Sequence, residues 1–224
     1  AQVSHLNQGA EAWYKDGSFS PAHSIDVAYI ELGEKALAHR CKWLVDECRR
    51  HGLGRVLELG SNDGNNLFPL AKCIPDIEFH GVEVSPGAVA HAKELSAAVG
   101  VKINIECSSL KDYAANHPGE FDATAIFEVL EHNSPSEGAD LLDAAEKCTR
   151  PGGRIFITTP CGAWSLHDEV TWDIKRRKDH INVYTIERMS KLLSSREAKD
   201  LQIAQVENPQ YEESNSWVFC SYGV

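Results

Sequence analysis

The chain has 224 residues, 42% of them hydrophobic and 25% charged, a globular composition sufficient for one large domain or two small ones. Lys and Arg number 22 against 33 Asp and Glu, a formal net charge of −11 that speaks against a dedicated nucleic-acid binder, a local basic patch aside. Seven cysteines without a CxxC pair fit a reduced, cytoplasmic protein, and no apolar run or leader pattern supports a membrane or secreted class.

Residues 1–24 are polar yet carry Trp13, Tyr14 and Phe19, and read as an orderable arm suited to a lid. The missing initiator Met fits a chain trimmed or cut from a longer one. From Asp26 to Arg50, Val27, Ile30, Leu37, Cys41, Leu44 and Cys48 recur at helical spacing, and Gly52 and Gly54 stop the run. Strand-like runs follow at Arg55 to Leu59, Ile77 to Val82, Val101 to Ile105, Phe121 to Phe127 and Arg154 to Thr158. Helical patterns at Asn66 to Lys72, Pro86 to Ala98 and Ser136 to Cys148 separate them. A helix near Thr185 to Ser194 precedes two final strands, Leu201 to Val206 and Ser216 to Ser221, with no helix between them. Alternating strands and helices predict an α/β, Rossmann-like, mostly parallel sheet of seven strands, covered on both faces and closed by an antiparallel edge hairpin. Residues 25–224 thus read as a single domain. In such sheets ligands bind beyond the carboxyl ends of the strands, and the polar motifs fall at those ends.

The most specific stretch is Glu58-Leu59-Gly60-Ser61-Asn62-Asp63-Gly64, directly after the first strand. Glycine there lets the backbone turn and a ligand approach closely. A dinucleotide fingerprint would also need glycine at 62 and 65; both are Asn, which disfavours a dehydrogenase. The second strand ends in Glu83-Val84, where a carboxylate is placed to accept two ribose hydroxyls. Ser108, Ser109 and Leu110 after the third strand can frame an adenine, and Phe127 ends the fourth.

In this order and spacing, residues 55–159 resemble the class I S-adenosylmethionine-dependent methyltransferases. The match rests on Glu58 to Gly64, Glu83, Phe121-Asp122 and Arg150-Pro151-Gly152-Gly153-Arg154. The resemblance implies a seven-stranded sheet whose last strand runs antiparallel. It also implies S-adenosylmethionine bound by Glu58, Gly60, Ser61, Asn62, Asp63, Gly64, Glu83, Val84, Ser108, Ser109, Leu110 and Phe127. The chain departs from the common pattern at Asn62, where Gly is usual, and at Ser108, where an Asp often reads the adenine amine.

After the fourth strand comes Glu128-Val129-Leu130-Glu131-His132. One helical turn there would put Glu128, Glu131 and His132 on a shared face, a candidate site for a divalent ion such as Mg, Mn or Zn. His180, before the last helix, is a candidate fourth ligand. The segment is similar both to ubiquinone-type methyltransferases and to metal-dependent 2′-O-methyltransferases of small RNAs. The latter resemblance implies Glu128, Glu131, His132 and His180 as the ligand set; without an ion, His132 or His180 would serve as the catalytic base.

A cation that orients and acidifies a hydroxyl suits O-methylation, since a sugar or catechol oxygen needs activation more than an amine does. Residues 161–182 read as an acceptor-site insertion, with Trp164 and Trp172 suited to stacking. The run Lys175-Arg176-Arg177-Lys178 there is either a solvated helix face or an anion clamp. The leading expectation is an O-methyltransferase for a small-molecule or glycan acceptor. An RNA 2′-O-methyltransferase and a non-enzymatic interaction module are the alternatives.

Overall fold

A computed structural model describes residues 25–161, 180–182, 184–196, 198–207 and 216–224. The expected arm at 1–24, Trp164, Trp172 and the basic run at 175–178 lie outside the described residues. Seven strands form one sheet in the order β3-β2-β1-β4-β5-β7-β6. They are β1 (Arg55–Leu59), β2 (Glu78–Glu83), β3 (Asn104–Cys107), β4 (Phe121–Phe127), β5 (Thr149–Pro160), β6 (Lys199–Glu207) and β7 (Ser216–Gly223). Strands β1 to β5 pair in parallel, and β7 runs antiparallel to both β5 and β6.

The helices are α1 (Val27–Glu31), α2 (His39–His51), α3 (Leu67–Cys73), α4 (Pro86–Val99), α5 (Leu110–Asn116), α6 (Pro135–Cys148) and α7 (Ile186–Ser194). The period-2 alternation of strands divides the core into two layers. Val56, Phe79, Ala123, Ala125 and Phe156 pack with Leu44 and Cys48 of α2, Phe68 of α3 and Leu95 of α4. Leu57, Leu59, Ile126, Ile155 and Ile157 pack with Tyr113 of α5, Leu142 of α6 and Met189 of α7.

The structure departs from the sequence expectations in three elements. The single helix expected over 26–50 is broken into α1, a 3₁₀ turn at Gly33–Ala36 and α2, because Gly33 adopts φ +58° and Leu37 and Ala38 are extended. β3 begins three residues and ends two residues later than expected and is mostly exposed, as befits an edge strand with weak apolar patterning. Helix α5 has no counterpart in the sequence reading; Ser109 caps it by accepting from Asp112 N at 3.1 Å.

At the amino-terminal ends of the strands, Asp122 Oδ2 accepts from Gly54 N and Arg55 N at 2.7 and 2.9 Å, and its Oδ1 accepts from Arg150 Nε at 2.6 Å. The Phe121-Asp122 and Arg150 motifs therefore brace the sheet at the end opposite the ligand loops. No described helix is long and apolar enough to cross a membrane.

Candidate active site

The loop after β1 turns on left-handed residues: Gly60 at φ +74°, Asn62 at φ +50° and Gly64 at φ +84°. Asn is among the side chains that tolerate this region, so Asn62 can stand where glycine is usual. A Cβ on Gly60 would lie 2.9 Å from Val129 Cγ2, so the loop is seated directly against the segment after β4.

Three carboxylates converge here. Glu83 ends β2 and accepts from Asn62 N through Oε2 at 3.0 Å and from Ser85 N through Oε1 at 2.8 Å. These bonds fix the carboxylate at the loop and leave lone pairs for a ligand hydroxyl. Burial raises its pKa, and the two backbone donors oppose that rise. Asp63 is fully buried, accepts from Ile25 N through Oδ2 at 3.1 Å and has His91 Nδ1 at 3.1 Å; burial pushes its pKa up as well. Glu58 lies inside β1 with Asn66 Nδ2 donating to its Oε1 at 2.6 Å, and burial pushes its pKa up to about 8.

Of the five buried side-chain atoms without a hydrogen-bond partner among the described residues, three lie at this loop, Glu58 Oε2, Asp63 Oδ1 and Ser61 Oγ, and the others are Glu47 Oε2 and Arg154 Nε. Unmet acceptors of this kind are costly unless a ligand satisfies them. Ser61 packs against Gly81 of β2, where a Cβ would lie 2.4 Å from its Oγ. Val84 is half-buried beside the loop, and Phe127 is buried at the end of β4. Ser108 N donates to Glu83 O at 3.1 Å, which sets the 108–110 turn next to Glu83, although the Ser109 hydroxyl is engaged with Asp112.

Arg40 was not singled out by sequence. Its Nε donates to Asn66 Oδ1 at 3.1 Å, forming a chain Arg40–Asn66–Glu58 from α2 to the loop. Its neighbour Cys41 lies on the buried face of α2, and that is the one signal in the sequence that could have pointed to it.

Beyond β4 the expected helical turn does not include Glu128. That residue adopts φ +57°, and a 3₁₀ turn begins only at Leu130. Glu128 instead accepts from Thr158 Oγ1 at 2.8 Å and Trp217 Nε1 at 2.9 Å. Glu131, His132 and His180 do converge, with one potential ligand atom from each lying within 4.8 Å of the others, and Glu128 stands outside this group. The two imidazole rings meet edge to face with centroids 4.9 Å apart. His180 reaches the site because Ile181 N and Asn182 N both donate to Glu131 O, at 2.8 and 3.0 Å. A parallel bridge between Cys161 and Tyr184 and a bond from Asn182 Nδ2 to Tyr184 Oη at 2.7 Å hold the segment.

Glu131 is 2% exposed and accepts from Thr159 Oγ1 at 3.0 Å. Burial, reinforced by the charge of Glu128, holds its carboxyl well above the usual range, against the pull of His180. A buried carboxylate flanked by two imidazoles is a donor set suited to Zn or Mn.

The profile of the methyltransferase domain family matches residues 29–203. The chain belongs to that family. It is 28% identical over 160 residues to a ubiquinone biosynthesis O-methyltransferase of Thiobacillus denitrificans, a match spanning 71% of this chain and 62% of that protein. The chain thus matches less than two thirds of the length of that curated relative. Its fold is shared with a SAM-dependent methyltransferase from Archaeoglobus fulgidus (TM-score 0.58, 18% identity, 87% of this chain and 99% of the other). It is shared also with Haemonchus contortus phosphoethanolamine N-methyltransferase 2 in complex with S-adenosyl-L-methionine (TM-score 0.64, 13% identity, 94% and 59%). The seven-stranded methyltransferase architecture expected from the sequence is therefore the one observed.

Proposed function

We propose that this domain is an S-adenosylmethionine-dependent O-methyltransferase acting on a hydroxyl of a small molecule or glycan, with a divalent ion at Glu131, His132 and His180. The observation that carries the reading is the convergence of this trio, with Glu131 and His132 on the segment whose Val129 packs on Gly60 of the carboxylate-lined loop and His180 brought to it by residues 180–182.

The loop fits the cofactor chemically, because a ligand carrying hydroxyl and amino groups, able both to donate and to accept, answers the unpartnered carboxyl oxygens of Glu58 and Asp63. Bound there, the sulfonium supplies an activated methyl group for in-line displacement. Glu83 would accept hydrogen bonds from the ribose hydroxyls, and the Arg40 guanidinium would pair with the cofactor's carboxylate. An ion on the trio would orient an acceptor hydroxyl and lower its pKa. Thr159 and the backbone of residues 180–182 keep Glu131 and His180 in place. In the ion-free protein, His132, the more exposed of the two imidazoles, takes the hydroxyl proton.

Calorimetry with S-adenosylhomocysteine, followed by methyl-transfer assays on catechol, sugar and short RNA acceptors with and without Mn or Zn, tests the reading. Cofactor binding and metal-stimulated transfer to a small hydroxyl acceptor support it. Transfer to RNA alone would replace the acceptor class, and no cofactor binding at millimolar concentration would leave an interaction module.

A further inference from the structure

A cavity of about 350 Å³ opens between the amino-terminal end of α2 and the outer strands. Glu128 lines it, as do Lys35, His39 and Lys42. Trp217 and Phe219 of β7 add an aromatic wall. That wall is braced: Trp43 packs on Phe219 with ring centroids 5.1 Å apart, and Trp217 is tied to Glu128 through its indole N–H. Trp217 pairs with Pro160, at the carboxyl end of β5, so the cavity sits on the ligand side of the sheet.

The charge of this cavity opposes that of the chain. In a protein of net charge −11, it gathers Lys35, His39, Arg40 and Lys42 around one carboxylate. Both oxygens of that carboxylate are already engaged, by Thr158 and Trp217. Arg40 is turned to the cofactor loop through Asn66. Lys35, His39 and Lys42 form no ion pair with another described residue, and no side chain caps the start of α2. Two ammonium groups and an imidazole without ion pairs among the described residues, open helix N–H groups and an aromatic wall are together complementary to an anionic group carried on a ring.

We infer that this cavity is the acceptor subsite, and that the acceptor is a ring-bearing hydroxyl compound with a phosphate or carboxylate substituent. The anionic group is held by Lys35, His39 and Lys42, the ring lies along Trp217 and Phe219, and the hydroxyl points past Glu128 toward the Glu131 segment. The inference rests on the proposed O-methyltransferase reading and deepens it by naming the acceptor class.

The test uses the full chain, ¹⁵N-labelled and saturated with S-adenosylhomocysteine. Phenyl phosphate, benzoate and benzyl alcohol are titrated separately while the Trp217 indole N–H and the amides of residues 39–41 are followed. The inference expects one or both anions to shift these signals and to bind at least about fivefold more tightly than benzyl alcohol, a preference that weakens with salt. The two anion arms distinguish a phosphate from a carboxylate acceptor. Lys35→Ala with Lys42→Ala abolishes the preference and leaves S-adenosylhomocysteine affinity unchanged. Equal binding of anions and alcohol, shifts confined to other residues, or a preference that survives the double substitution would overturn it. Failure of the wider reading looks different: the protein then fails to bind S-adenosylhomocysteine, and the same titrations without it still report on the cavity.

Discussion

Two buried glutamates at the ends of adjacent strands show how differently the two halves of the site are built. Glu58 on β1 is served by Asn66, eight residues away, and the carboxylates that join it at the loop, Asp63 and Glu83, come from the loop after β1 and from the end of β2. Glu131, beyond β4, is served by Thr159 and by the backbone of residues 181 and 182, 28 or more residues away. Both carboxyls are pushed up by burial. The first half is local and acceptor-rich, shaped for a donor-rich ligand; the second is assembled from three segments and presents imidazoles. Val129 against Gly60 is where the halves touch.

The largest expected effect separates them. Glu131→Gln combined with His180→Ala should weaken Mn or Zn binding by more than the roughly 10- to 100-fold that loss of an outer-shell partner costs. Calorimetry should find S-adenosylhomocysteine affinity unchanged in that variant. The converse is Glu83→Gln, which removes a charged acceptor for ribose hydroxyls and should weaken S-adenosylhomocysteine by roughly 10- to 100-fold. Metal affinity should hold; a parallel loss of both would show the halves to be one unit.

Gly60→Ala attacks the junction. It forces a Cβ into a left-handed residue and against Val129, at a cost of about 1–3 kcal/mol in chemical denaturation. Both ligands should weaken together, unlike either single-half variant.

The smallest effect is a slope. Glu58 is neutral in the fold up to about pH 8 and ionises near the ordinary carboxylate range when unfolded. The stability it contributes is complete below the unfolded pKa and is lost as pH rises toward the folded value. The Tm of cofactor-free protein should therefore fall between about pH 5 and pH 8, by about 2–4 °C per kcal/mol lost. Glu58→Gln should flatten this slope in a calorimetric pH series, leaving the shares due to Glu131, Glu83 and Asp63.

The amino-acid order alone makes the sheet and its glycine loop legible. Strands buried on both faces read as apolar runs, and a loop that follows its strand directly keeps Glu58, Gly60, Asp63 and Gly64 within one turn of each other. It missed the break at Gly33, because apolar spacing continues across it, and it missed α5, which is short and carries one capping serine as its only signal. The rest depends on contacts between distant segments. Glu128 shares a motif with Glu131 and His132 but is turned away by its own left-handed backbone toward Trp217, 89 residues on. His180 and Arg40 enter the site through bonds to Glu131 and Asn66, contacts that no periodicity encodes. Local pattern records what neighbours in sequence do; long-range hydrogen bonds and burial choose which of the matching side chains face the ligand.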